Sequence, residues 1–222
     1  MSEPPFLPEH FRRLDERDDT LFYEAPRLVT HIDGHAIEAA RRLYAGLLPA
    51  GGEVLDLMAS WRSHLPDGLR RVTGLGLNEV ELRENDQLTE RVVHNVNADP
   101  HLPFADASFD GAVMTVSAQY LIHPIEVFRE VRRVLRPRGV FAVTYSNRRF
   151  PEKAIALWAA CTDEQRGRLI GAYFHYAGGW EEITMQDRSP QVGVYSDPLY
   201  AVWARKASGQ AGDSAGSRPA SG

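Results

Sequence analysis

Phe109-Asp110-Gly111-Ala112-Val113-Met114-Thr115-Val116 and, further along, Val140-Phe141-Ala142-Val143-Thr144-Tyr145 are two apolar runs of strand length. Between them Val127, Phe128, Val131, Val134 and Leu135 recur at helical spacing, and Pro124 suits a first helical turn. Arg136-Pro137-Arg138-Gly139 then turns the chain into the second run. Strands that are apolar throughout, with a helix between them, need cover on both faces of their sheet, which predicts a mostly parallel arrangement.

The same reading extends in both directions. Val54 to Leu57, Arg71 to Leu77 and Arg91 to Val96 supply three earlier strands. Before them Gly34 to Leu48 is an amphipathic helix with Asp33 as its expected N-cap, ended by Pro49 to Gly52. After Tyr145 come a helix near Glu152 to Ala160 and a second opened by a capping box, Thr162 with Gln165, and closed by Gly178-Gly179. Runs near Glu182 to Met185 and Leu199 to Arg205 predict an antiparallel edge. The expected fold is α/β: a doubly wound, mostly parallel seven-stranded sheet with helices on both faces. Residues 1–30 read as a leader or lid, 31–207 as the folded domain, and 208–222, mostly Gly, Ser and Ala, as a disordered tail.

With 222 residues, 43% of them hydrophobic, the chain suffices for one substantial core. No apolar run reaches the roughly 20 residues of a membrane helix. The start of the chain lacks a signal-peptide pattern, so a cytoplasmic location is expected. Its single cysteine, Cys161, allows no internal disulfide and reads as a packed small hydrophobe. A formal net charge of −5 argues against nucleic-acid partners. Arg132, Arg133, Arg136 and Arg138 fall around a helix end, where they complement its dipole. His31, Asp33 and His35 can be read as a metal or acid–base cluster, or as a cap with two surface histidines; the second reading is preferred and no metal is expected.

In open parallel sheets ligands sit beyond the carboxyl ends of the strands, where strand order reverses. Asn97-Ala98-Asp99, then Leu102-Pro103-Phe104-Ala105-Asp106-Ala107-Ser108-Phe109-Asp110, the helix Glu126 to Leu135 and the turn after it resemble the type 11 group of class I S-adenosylmethionine-dependent methyltransferases. The resemblance implies a Rossmann-like methyltransferase fold, S-adenosylmethionine as cofactor, and Asp99 as acceptor of the adenine amine's hydrogen bond. Two features depart from that pattern. Asp56-Leu57 is followed by Met58-Ala59-Ser60-Trp61-Arg62-Ser63-His64 with no glycine, and the position of the usual ribose-binding acid is Gly76. Asn78 or Glu79 is left to reach the ribose, unless Asn78 only caps the next helix. The expected cofactor contacts are Asp56, Met58, Ala59, Ser60, Asn78, Glu79, Asp99 and Val116. The backbone of Ala59 and Ser60 is expected to meet the methionine portion, and Trp61 to anchor the loop.

Ser60-Trp61-Arg62-Ser63-His64-Leu65-Pro66, Ser146-Asn147-Arg148, Tyr173 to Gly179 and Ser196 to Tyr200 further resemble a plant and bacterial methyltransferase-like group. That resemblance makes the missing glycines a group trait. It names no acceptor; methyl transfer to a small molecule is expected. Topology places Ser117, Gln119 and Tyr120 after the fourth strand and Tyr145 and Asn147 at the end of the fifth. Ser117, Tyr145, Asn147 and, from the covering segments, Tyr23 and His175 are the candidate catalytic residues. The leader and the Tyr173–Tyr176 helix are expected to close the site together. A non-catalytic protein on the same fold is the alternative. Oligomeric state is not legible.

Overall fold

The computed structural model describes residues 3–191 and 193–208; the expected tail lies almost wholly outside them. Seven strands form one sheet: β1 (Glu53–Leu57), β2 (Arg71–Gly76), β3 (Glu90–Val93), β4 (Phe109–Thr115), β5 (Leu135–Tyr145), β6 (Trp180–Asp187) and β7 (Tyr200–Lys206). Their order is β3-β2-β1-β4-β5-β7-β6. The pairs among β1 to β5 are parallel, while β7 runs antiparallel between β5 and β6. The two late strands do form an antiparallel edge, with the last one inserted beside β5. Strand order reverses between β1 and β4, which fixes where a ligand crevice opens.

The expected local signals are present as atoms. Helix α1 (Asp19–Phe22) lies in the leader; helix α2 (Gly34–Leu47) is capped by the Asp33 carboxylate, which accepts from the His35 and Ala36 amides. Helix α3 (Glu79–Glu84) is capped in the same way by Asn78. Helix α4 (Pro124–Val134) begins on its proline, and α5 (Ala156–Ala160) is shorter than the sequence suggested. Helix α6 (Asp163–Ala177) opens on the Thr162–Gln165 capping box and ends at Gly178 and Gly179, both at positive φ.

Two packed layers result. Phe128, Val131 and Val134 of α4 and Ile170, Tyr173 and Phe174 of α6 bury against one face of the sheet. Ala36, Ala40, Leu43 and Tyr44 of α2 and Leu82 of α3 bury against the other. The crossover from β1 to β2, residues 58–70, carries no helix. No helix among the described residues is long and apolar enough to cross a membrane.

Candidate functional site

A cavity opens over the carboxyl ends of β1, β2 and β4, beside the switch point. Counting its open mouth, it encloses about 1150 Å³ of empty space. Asp56 and Met58 reach it from β1, Gly76 and Leu77 from β2, and Thr115, Val116 and Ser117 from β4. The segment His94 to Asn97 forms another wall, and Tyr23, Arg27, Val29 and Thr30 of the leader, with His31 and Ile32 just after it, cover it.

The missing acid has a steric cause. After β1 the chain bends across the end of β2: the Ala59 amide donates to the Leu75 carbonyl at 2.8 Å. A Cβ on Gly76 would be driven into the Ala59 carbonyl oxygen, so no acidic side chain can stand there. Two backbone groups here are thereby used within the protein, the Ala59 amide and the Ser60 carbonyl, which accepts from Asn85. The bend is made without glycine. Met58 (φ 57), His64 (φ 55) and Val116 (φ 50) occupy left-handed backbone, and all three line the cavity. That conformation costs a non-glycine residue roughly 1–2 kcal/mol, and such strain concentrates at functional sites.

Glu81, missed in the sequence, takes a central place. It is buried on α3, accepts from the Arg27 amide at 2.7 Å and accepts the Ser60 hydroxyl at 2.6 Å. One carboxylate thus ties the leader to the loop. Trp61 adds a second tie by donating its indole N–H to the Val29 carbonyl at 2.9 Å. Asn78 spends its amide oxygen capping α3 and its amide nitrogen on the Tyr23 and Glu24 carbonyls.

Three buried polar atoms at the cavity lack a partner among the described residues: Asp56 Oδ2, Ser117 Oγ and Arg27 Nη1. Buried polar groups are normally paired, so three orphans converging on one space mark a place for a ligand. Burial pushes the Asp56 carboxyl up to about 7, against a weaker downward pull from a Ser63 hydrogen bond. Burial first, then the charges of Arg62 and His31, hold His64 down at about 4, so its imidazole is neutral. Burial also lowers His31 and raises the Tyr23 hydroxyl above its ordinary value.

Of the expected residues, Tyr23, Asp56, Met58, Ala59, Ser60, Asn78, Val116 and Ser117 line the cavity. Five expected residues do not. The Asp99 carboxylate turns outward and accepts the His101 amide, because the turn after Asn95 points it to solvent. Glu79 is exposed and pairs with Arg83 one helical turn on. Tyr145 alternates to the opposite face of β5, packing on Trp158 and donating to the Asp163 carbonyl. Asn147 is exposed beyond the strand. His175 sits exposed on the last turn of α6, whose Tyr173 and Phe174 pack on Phe128 in the core, so this helix does not cover the cavity.

Residues 51–143 match the family model described as a methyltransferase domain. Over 43 residues the chain is 42% identical to the biotin biosynthesis bifunctional protein BioHC of Teredinibacter turnerae, covering 19% of this chain and 8% of that one. Over 78 residues it is 37% identical to methyltransferase phqN of Penicillium fellutanum, covering 32% of this chain and 24% of that one. Both matches take in only a small part of those proteins. Among solved structures, the 4+2 cyclase SpnF is similar at a TM-score of 0.58 and 17% identity, covering 86% of this chain and 92% of that one. An S-adenosylmethionine-dependent methyltransferase of Mesorhizobium loti aligns at 0.55 and 19%, covering 78% and 100%. A possible histamine N-methyltransferase of Thermotoga maritima aligns at 0.57 and 16%, covering 78% and 89%. At these identities the structural likeness is one of fold.

Proposed function

We propose, taking residues 51–143 as a methyltransferase domain on the class I fold, that the cavity binds S-adenosylmethionine and passes its methyl group to a small acceptor. The observation that carries the reading is the convergence of three unpartnered buried polar atoms at the strand-order reversal of this fold. The cofactor supplies a methyl group already activated on a sulfonium, so the protein's task is alignment and exclusion of water.

The residues fit one end of that cofactor better than the other. Asp56 offers an unpaired carboxylate oxygen to a cationic group, and Ser117 a free hydroxyl in the turn after β4. No acidic side chain at position 76 could hold a ribose, since its Cβ would meet the Ala59 carbonyl. His94 to Asn97 would flank the adenine in place of Asp99. Tyr23 and Arg27 of the leader would close the site over the acceptor, with Ser117 and the neutral His64 as candidates to hold or take its proton.

Calorimetric titration with S-adenosylmethionine and S-adenosylhomocysteine tests the reading: both should bind one-to-one. A folded protein that binds neither would overturn it. The loop pressed onto Gly76 favours a second reading, a protein that uses this fold without methyl transfer, and fold alone does not fix chemistry. Binding of the homocysteine product with no turnover across acceptor classes would support that alternative.

A further inference from the structure

We propose that Arg27 anchors a carboxylate on the acceptor, which makes that acceptor a small planar acid. The proposal rests on the cavity being the methyl-transfer site. The Arg27 guanidinium carbon lies 4.5 Å from the Phe22 ring centroid, 5.3 Å from that of Phe150 and 5.6 Å from that of Tyr23. Its Nη2 donates to the Phe22 carbonyl at 2.9 Å, and its backbone amide is held by Glu81. The group is therefore fixed in place, yet Nη1 is buried with no acceptor among the described residues. A buried cationic donor left unpaired is costly, so a complementary oxygen from a bound molecule is the natural partner.

The protein's own nearby carboxylates are already committed. Asp19 pairs with Arg13 at 2.7 Å and Lys153 at 3.1 Å, and accepts from Asn97 on its other oxygen. Glu81 is spent on Arg27's amide and Ser60. A guanidinium presents donors in a planar fork that matches a carboxylate. On the cavity side Tyr23, Tyr120 and Phe150 present flat apolar surface, with Tyr120 and Phe150 stacked at 6.0 Å. Such walls suit an aromatic or conjugated body attached to the acid.

The amino-acid end of S-adenosylmethionine also carries a carboxylate, and the experiment separates the two sources. Benzoate, phenylacetate, 3-phenylpropionate and their amides would be titrated into the full chain by ligand-observed NMR, with and without saturating S-adenosylhomocysteine. With S-adenosylhomocysteine bound, at least one acid should bind tenfold or more tightly than its amide. Arg27→Met should erase that preference and leave S-adenosylhomocysteine affinity within about twofold, since a charge-assisted hydrogen bond worth roughly 1.5–3 kcal/mol is lost only to the acid. Arg27→Lys keeps the charge and the aromatic contact without the fork, so the preference should shrink to a few-fold; this variant decides the matter if Arg27→Met does not fold. Equal binding of acids and amides overturns the proposal. So does a fall in S-adenosylhomocysteine affinity in Arg27→Met, which would assign the carboxylate to the cofactor. If S-adenosylhomocysteine fails to bind at all, the methyl-transfer reading falls, while the S-adenosylhomocysteine-free titration still reads Arg27's preference.

Discussion

Asp56 is the residue whose titration should be visible. A cationic ligand favours its ionised form, so binding to the protonated carboxyl must expel a proton. Affinity for S-adenosylmethionine should rise by up to about tenfold per pH unit toward about 7 and level off above it. Asp56→Asn should flatten that profile in calorimetry; an unchanged slope would remove Asp56 from the contact. Stability carries the opposite sign. The folded-state value lies above the ordinary 3.8, so the contribution of the carboxyl to folding is complete at low pH and is lost as pH rises through about 7. Asp56→Asn should accordingly melt about 5 °C or more above the parent at pH 8, with the gap closing toward pH 4. Asp99→Ala gives the contrasting case: with its carboxylate turned to solvent, S-adenosylhomocysteine affinity should stay within about twofold. A tenfold loss would return the adenine pocket to Asp99.

At the scale of elements, the β1–β2 crossover and the end of β2 act as one unit. Gly76→Asp would place an acid at the end of β2 but would force its Cβ into the Ala59 carbonyl. Backbone cannot yield as a flexible side chain does, so the variant should lose about 2 kcal/mol or more of unfolding free energy in urea and gain no cofactor affinity. A stable variant with tighter binding would mean that the loop readily leaves its place. Glu81→Ala tests the clamp between this loop and the leader. It should weaken S-adenosylhomocysteine binding and hasten proteolytic cutting between residues 12 and 30, because both the Arg27 amide and the Ser60 hydroxyl lose their acceptor. Unchanged cutting would make the clamp dispensable.

Across the molecule, the leader is attached to the domain by buried charge. Lys153 is fully buried, and its Nζ meets the Asp15 and Arg17 carbonyls at 3.2 and 2.7 Å and Asp19 at 3.1 Å. Arg13 completes the group on Asp19, and Asn97 carries it to the cavity wall. Lys153→Met keeps the side-chain bulk but leaves three oxygens short of a donor, and should cost about 3 kcal/mol of stability. A two-state melt shifted as a whole would show that leader and sheet fold together; a separate early transition would show an independent leader.

Asp33, Asn78 and Thr162 were legible as helix caps, and the apolar runs as strands, because those signals act between residues a few positions apart. The strand–helix–strand unit from Phe109 to Tyr145 was enough to require a sheet covered on both faces. The cavity obeys no such local rule. Arg27 meets Glu81 across 54 positions, and Asp33 meets Asp197 across 164. Glu81 looked like one more charge on a short helix until folding set it between the leader and the loop. Asp99 matched a pattern, yet a local turn aimed it outward. His175 lay on a well-predicted helix, but packing of Tyr173 and Phe174 on Phe128 placed that helix in a core layer. The sequence by itself determined the elements, their caps and the end of the sheet where a ligand belongs. Only the tertiary structure decided which side chains reach that space, since at Gly76 the choice rests on the path of another strand's loop.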